Sequence, residues 1–267
     1  MARQDSLAFW PAGWRLVEAA DPAAVGAHVA SLLLQERLQR PERPLGLATG
    51  RTMEPVYAAL VAQVDALPAT DRQRLRSQWL SFNLDEYVLT GASLAGSFAA
   101  AMDQHLRNPL GLAAHQVRLP DGTSADPAAE ADRYRQQLTS AGGIGLQLLG
   151  LGLNGHVGFN EPPCPVDAPC RCLELSATTR RQNASAFGGD PEAVPRRAIT
   201  LGLAEILAAQ RLVLVVTGAA KAAILGRLIA SAPSADLPAS WLRGHPNLEL
   251  VVDRAAAAAL LPAAMPG

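Results

Sequence analysis

Short apolar runs that end at a glycine-bearing or acidic turn and then give way to helical periodicity recur along this chain. Few architectures accommodate that alternation. Residues 45–48 run into Thr49-Gly50-Arg51-Thr52 and a helical pattern over 54–64, and residues 212–216 run into Thr217-Gly218 and a helix carrying Lys221. Residues 248–252 run into Asp253, which is placed to cap a last helix. Further strands are expected at 79–84, 117–119 and 144–151, the last leucine-rich and bounded by glycine, as suits the interior of a parallel sheet. Asp21-Pro22 opens a first helix over 23–38, whose Val25, Val29, Leu32, Leu33 and Leu38 fall at helical spacing. Other helices are expected at 93–106, 126–138, 178–187 and 201–209. With no internal repeat and no linker, this pattern predicts one α/β domain over residues 1–267. It is a single doubly wound, mostly parallel sheet with helices on both faces, a Rossmann-like three-layer sandwich.

Apolar residues make up 49% of the 267 residues and charged residues 18%, which supplies a large core. Alanine tracts such as 255–259 suit helices packed closely on a sheet. A formal net charge of −1 gives no electrostatic footprint for nucleic acid or an anionic membrane, so an anionic ligand has to be held locally. Residues 1–16 lack the apolar core of a signal peptide, and no run of about 18 uncharged apolar residues exists to span a bilayer. A cytoplasmic protein is expected. The three cysteines, Cys164, Cys170 and Cys172, form an odd cluster that matches neither a disulfide framework nor a paired CxxC zinc site. Free thiols in a mobile loop, and no metal, are expected.

Chemistry concentrates in residues 148–162, LLGLGLNGHVGFNEP. In open α/β sheets ligands sit beyond the carboxyl ends of the strands, which is where Asn154, His156 and Glu161 fall. Taken alone, a histidine in a glycine turn reads first as a solvated side chain. Asp85-Glu86-Tyr87 stands in the same relative place after the strand at 79–84, either as part of a site or as a helix N-cap with a solvated neighbour. The turn Thr49-Gly50-Arg51-Thr52 joins a strand to a helix start, so backbone N–H groups and the positive helix end converge there as in an anion pocket. It is not a Walker loop, since GxxxxGK[ST] is absent. A lysine near a helix start, as at Lys221, is unfavourable to the helix dipole and favours an anionic partner. Residues 162–172 are rich in proline and cysteine and have no period, so 162–187 is expected to form a lid over the site.

With LATGRT, FNLDEY, LGLNGHVGFNEP and TGAAKA in that order, the chain resembles the glucosamine-6-phosphate deaminase (isomerase) family from about residue 45 to the final helix. The same superfamily includes 6-phosphogluconolactonases, whose loop after the glycine-histidine pair usually lacks the glutamate found here. VGFNEP therefore tilts the choice to the deaminase branch.

The resemblance implies an enzyme that converts glucosamine 6-phosphate and water to fructose 6-phosphate and ammonia, without organic cofactor or metal. Its ligand is a small amino-sugar phosphate, and it leaves self-association into a homo-oligomer open. It implies Asp85 as the base moving a proton from C2 to C1, and His156 as the ring-opening acid/base with a near-neutral pKa. Glu161 orients or polarises the imidazole, and Asn154 holds the ring by a hydrogen bond. Thr49, Gly50, Arg51, Thr52 and Lys221 align with the phosphate-holding turns, with Glu86, Tyr87 and Gly155 also at the substrate.

The chain departs from the family pattern at three places. Asn154 stands where many members carry aspartate, Ser185 where they usually carry a phosphate-binding arginine, and Met53 where a proline follows the turn. Arg51 is positioned to return the missing charge from the other side. Pro163, Cys164 and Leu173 occupy the segment that forms an allosteric pocket in some relatives, so allosteric activation is not expected. A sugar-lactone hydrolase, a galactosamine-6-phosphate deaminase and a non-catalytic sugar-phosphate sensor are the alternatives. Gluco and galacto substrates are not distinguished.

Overall fold

The structure, a computed structural model, describes residues 10–89 and 96–260. From the N-terminal side, β1 (Trp14–Ala19), α1 (Pro22–Gln39) and β2 (Leu45–Leu47) lead through the first turn into α2 (Glu54–Asp65) and α3 (Ala69–Gln78). Then follow β3 (Ser81–Asn83) and β4 (Asp85–Tyr87). Next, α4 (Phe98–Met102) passes through a π turn at Asp103–Arg107 into α5 (Asn108–Leu110). The chain continues with β5 (Val117–Arg118), α6 (Pro127–Ser140), β6 (Leu146–Gly150), β7 (Arg171–Glu174) and α7 (Ala177–Asn183). The last elements are β8 (Arg197–Thr200), α8 (Leu203–Leu207), β9 (Arg211–Val216), α9 (Ala222–Ala230), β10 (Leu248–Asp253) and α10 (Arg254–Ala257).

Seven strands form a sheet in the order β1-β10-β9-β6-β2-β3-β5, every pair parallel. The interior strands are the expected apolar runs: Leu146, Leu148 and Leu149 of β6 and Leu212, Val213 and Leu214 of β9 are solvent-free. Both faces of such strands are covered, which is why they read as continuous hydrophobic stretches and not as alternation. On β3 the pleat sends Phe82 onto Tyr134 of α6, ring centroids 5.5 Å apart, while Ser81 and Asn83 project to the opposite face. From β2 the chain first winds outward through β3 and β5, then returns to lay β6, β9 and β10 on the other side. The order therefore reverses between β2 and β6, and the crevice beyond the carboxyl ends of those two strands is where such folds bind ligands.

Several elements differ from expectation. A second sheet, β4-β8-β7, is antiparallel, and the chain crosses into it at Leu84, whose N–H donates to Leu47 O of the large sheet while its carbonyl accepts from Leu201 N. The strand β1 is an edge strand with exposed charged residues, and α3 is polar nearly all round with only Leu75 buried, so neither carries a strong apolar pattern. The helix expected at 93–106 begins at Phe98 behind the N-cap Ser97, whose side chain accepts from Ala100 N; residues 93–95 lie outside the described residues. The loop expected to extend to Cys172 ends where β7 starts at Arg171. Nor are its thiols mobile: Cys164 and Cys170 are buried in the main core, and Arg171 Nη2 donates to Cys164 Sγ at 3.5 Å. Among the described residues no helix is long and apolar enough to cross a membrane.

Candidate active site

A cavity of about 490 Å³ opens at the crevice between β2 and β6. Its floor is the turn after β2 and the loop after β6, one wall is β4, and residues 182–186 close it from above. The part of the expected lid that reaches the cavity is thus α7 and the turn after it, while residues 171–174 are built into the small sheet.

Asp85 begins β4, opposite Thr200 of β8, and faces the cavity. Only 5% of it is exposed, and among the described residues no group donates a hydrogen bond to its carboxyl. Burial, and then the neighbouring Glu86 carboxylate, push its pKa up to about 8. Glu86, expected beside it, does not line the cavity. Successive residues of a strand point to opposite faces, so Glu86 turns away and accepts from Tyr87 N (2.8 Å), Phe98 N (3.0 Å) and Ala99 N (2.7 Å). It closes the otherwise open first turn of α4 and so ties that helix to β4. Tyr87, two residues on from Asp85, returns to the cavity side, where its ring meets Phe98 and Phe159 and its hydroxyl meets Asn183 of α7.

The loop after β6 fixes one imidazole. The Oδ1 atom of Asn154 accepts both the backbone N–H of His156 (3.2 Å) and its ring Nδ1 (2.6 Å). Because the backbone donor identifies that atom as the amide oxygen, Nδ1 carries the ring proton and Nε2 presents a lone pair. The ring lies over Gly152, where a Cβ would stand 2.3 Å from its atoms. Gly155 acts through the backbone and is absent from the cavity lining: its φ is +85° and a Cβ would meet Leu237 at 2.2 Å. Burial drives the His156 pKa down to about 4, with Glu161 opposing and Lys221 reinforcing the shift. The imidazole is therefore neutral at pH 7, and the expected near-neutral pKa gives way to desolvation.

Glu161 does not hydrogen-bond the histidine. Its Oε2 accepts Ser176 N (2.9 Å), and its Oε1 accepts Ser176 Oγ (2.6 Å) and the Thr179 hydroxyl. Burial opposes ionisation, but those donors prevail and hold its pKa below the usual carboxylate value. Glu161 anchors the start of α7 over the cavity and reaches His156 through charge alone. Ser176 and Thr179, like Phe98 and Phe159, had no local signal as site residues; the S-x-x-T spacing only marks a helix start.

At the other end, Thr49, Gly50, Arg51 and Thr52 line the cavity in front of α2, whose N-cap, Met53, supplies no side-chain cap. The Thr49 hydroxyl is buried without a partner among the described residues. Lys221 sits in a 3₁₀ turn ahead of α9, a position secured by Asp253, whose carboxylate accepts Gly218 N (3.0 and 2.9 Å) and caps α10. Its Nζ donates to Leu151 O at 2.7 Å, and burial followed by the charge of Arg51 lowers its pKa. Ser185 lines the same cavity. The site thus has a carboxyl and a neutral imidazole at one end and two cations beside unsatisfied backbone N–H groups at the other. That arrangement suits proton transfer on a small molecule with an anionic tail.

Residues 18–251 match the family of glucosamine-6-phosphate isomerases/6-phosphogluconolactonase, and the chain belongs to it. It is 38% identical over 240 residues to a glucosamine-6-phosphate deaminase of Geobacillus sp., covering 90% of this chain and 93% of that one. The corresponding enzyme of Rhodopirellula baltica is 40% identical over 240 residues, with the same two coverages. A solved monomeric glucosamine-6-phosphate deaminase superposes with a TM-score of 0.85 at 30% identity, over 92% of this chain and 99% of its own. The 6-phosphogluconolactonase of Trypanosoma brucei shares the fold, with a TM-score of 0.68 at 21% identity over 92% of this chain and 97% of its own.

Proposed function

We propose that this protein converts glucosamine 6-phosphate and water to fructose 6-phosphate and ammonia. The observation that carries the reading is the placement of Asp85, a buried carboxyl to which no group among the described residues donates, in one cavity with a neutral His156 whose Nε2 is unprotonated. The phosphate rests on the turn at 49–52 and the start of α2, with Lys221 as a point charge. His156 Nε2 takes the proton of the anomeric hydroxyl and delivers it to the ring oxygen as the C1–O5 bond opens. Asp85 then removes the proton at C2 and returns it to C1, while the C1 oxygen gains a proton and the C2 ammonium gives one up, so that the C1 carbonyl becomes a hydroxyl and C2 an iminium. Water adds at C2, and the amine leaves as ammonia. A base poised in a dry pocket is worth about 10²- to 10⁴-fold in rate. The amino group of the substrate arrives as a cation beside Asp85 and favours the ionised carboxylate that this step requires.

Lactone hydrolysis, the alternative within the superfamily, needs no base at C2 and would leave Asp85 idle in the cavity. A sensor would need neither group. The reading takes the chain as one catalytic domain with α7 as part of a lid, and a phosphorylated sugar as substrate places the reaction in the cytoplasm. Offering glucosamine 6-phosphate, galactosamine 6-phosphate and free glucosamine, and assaying ammonia and ketose, tests it. Release from the first is expected, and release from none overturns it.

A further inference from the structure

The cation end of the cavity is made by two turns that belong to the parallel sheet, and the two cations differ in how they are held. Lys221 is half-buried, and one of its three ammonium donors is already given to Leu151 O at 2.7 Å, so it is a fixed charge. Arg51 is exposed at the mouth. Among the described residues its guanidinium has neither a hydrogen bond nor an ion-pair partner, and its resolved interaction is repulsion with Lys221. Elsewhere on this chain arginines find acids: Arg107 meets Asp103 at 2.5 Å and Arg133 meets Glu130 at 2.6 Å. Glu54, at the start of α2, lines the same cavity but among the described residues makes no ion pair with either cation, so the two like charges raise each other's energy until an anion arrives. A dianion relieves that repulsion more than a monoanion or a neutral group. The segment above the cavity offers no such charge. Gln182, Asn183 and Ser185 are neutral, and Asn183 is engaged with Tyr87.

We infer that Arg51 is the specificity-determining residue for the anionic tail of the substrate. With Lys221 it forms a two-cation clamp, complete within the floor of the cavity, that selects a phosphate dianion without help from the segment carrying Ser185. The inference rests on the sugar-phosphate reading above, and it adds where the selection is made. Lys221 supplies the fixed half, and the five donors of Arg51 close over the phosphate from solvent as the movable half. Affinity then falls as a phosphate monoester takes up its second proton, at a pKa of about 6. The charged form that is lost is the one the two cations share.

Glucitol 6-phosphate, which has no ring to open and no amine to lose, separates binding from turnover. Calorimetric titration of the wild type, Arg51→Ala, Arg51→Lys and Ser185→Ala is the test. Arg51→Ala is expected to weaken binding roughly ten- to a hundredfold, the size of one charge-assisted contact. Arg51→Lys should keep much of the affinity, which shows that charge and not turn geometry was lost, and Ser185→Ala should bind as the wild type does. Between pH 7.5 and about pH 5 the wild type should lose more affinity than Arg51→Ala. Unchanged binding in Arg51→Ala, or a loss in Ser185→Ala as large as that in Arg51→Ala, overturns the inference. If the wild type releases no ammonia from any amino sugar while Arg51→Ala still loses glucitol 6-phosphate, the deaminase reading fails and the clamp stands. If the wild type releases ammonia while Arg51→Ala binds glucitol 6-phosphate as tightly as the wild type does, the clamp fails and the deaminase reading stands.

Discussion

One oxygen of Asn154 takes both N–H groups of His156, the backbone at 3.2 Å and ring Nδ1 at 2.6 Å, and so selects the tautomer that leaves Nε2 unprotonated. An amide does this without adding charge. Desolvation therefore outweighs the opposing charge of Glu161, and the pKa of the imidazole falls to about 4.

Asn154→Asp places a carboxylate on the same proton and is expected to raise the His156 pKa. The acidic limb of the kcat/KM profile, where the base form is lost, should move to higher pH. A superposable profile in an active variant would mean that this contact does not set the ionisation.

Asp85→Asn keeps the shape of the residue and removes the base. Turnover is expected to fall by about 10²- to 10⁴-fold, with KM for glucosamine 6-phosphate little changed, because a proton carrier acts in the transition state. Steady-state kinetics decide it, and a variant retaining most of its kcat removes Asp85 from the chemistry.

The two buried groups give stability opposite pH dependences. Asp85 holds its proton up to about pH 8 when folded, against an ordinary value of 3.8, so its contribution is fully present below pH 3.8 and is lost as pH rises through 8. His156, at about 4 against 6.5, contributes fully above pH 6.5 and loses that contribution as pH falls through 4. Urea midpoints for the wild type and Asp85→Asn should diverge in favour of the variant as pH rises from 3.8 to about 8. Parallel curves would show that Asp85 is not the group responsible.

Glu161→Gln leaves the donors of Ser176 and Thr179 with a weaker acceptor and takes a negative charge from the neighbourhood of His156. A stability loss of about 1 to 2 kcal/mol is expected, with faster amide exchange across α7 and a lower His156 pKa. Unchanged exchange in residues 176–187 would separate Glu161 from the segment above the cavity.

Much of the large sheet was legible in the chain itself. Strands β2, β6, β9 and β10 are covered on both faces, so burial writes itself into the sequence as unbroken apolar runs, and each ends in a turn whose residues announce the site. The ordered motifs around Thr49, Asp85, His156 and Lys221 were enough to assign the family, because each motif is local. Tertiary structure decided the rest. In β4 and β7 (DEY and RCLE) there is no apolar run, and these strands exist because β8 lies between them. The pleat aims Asp85 into the cavity and Glu86 at α4. The partners of Glu161 lie 15 and 18 residues further on, so its engagement with α7 has no sequence periodicity to betray it. The pKa of His156 depends on how much water the assembled walls exclude, a property of the cavity and of no single segment.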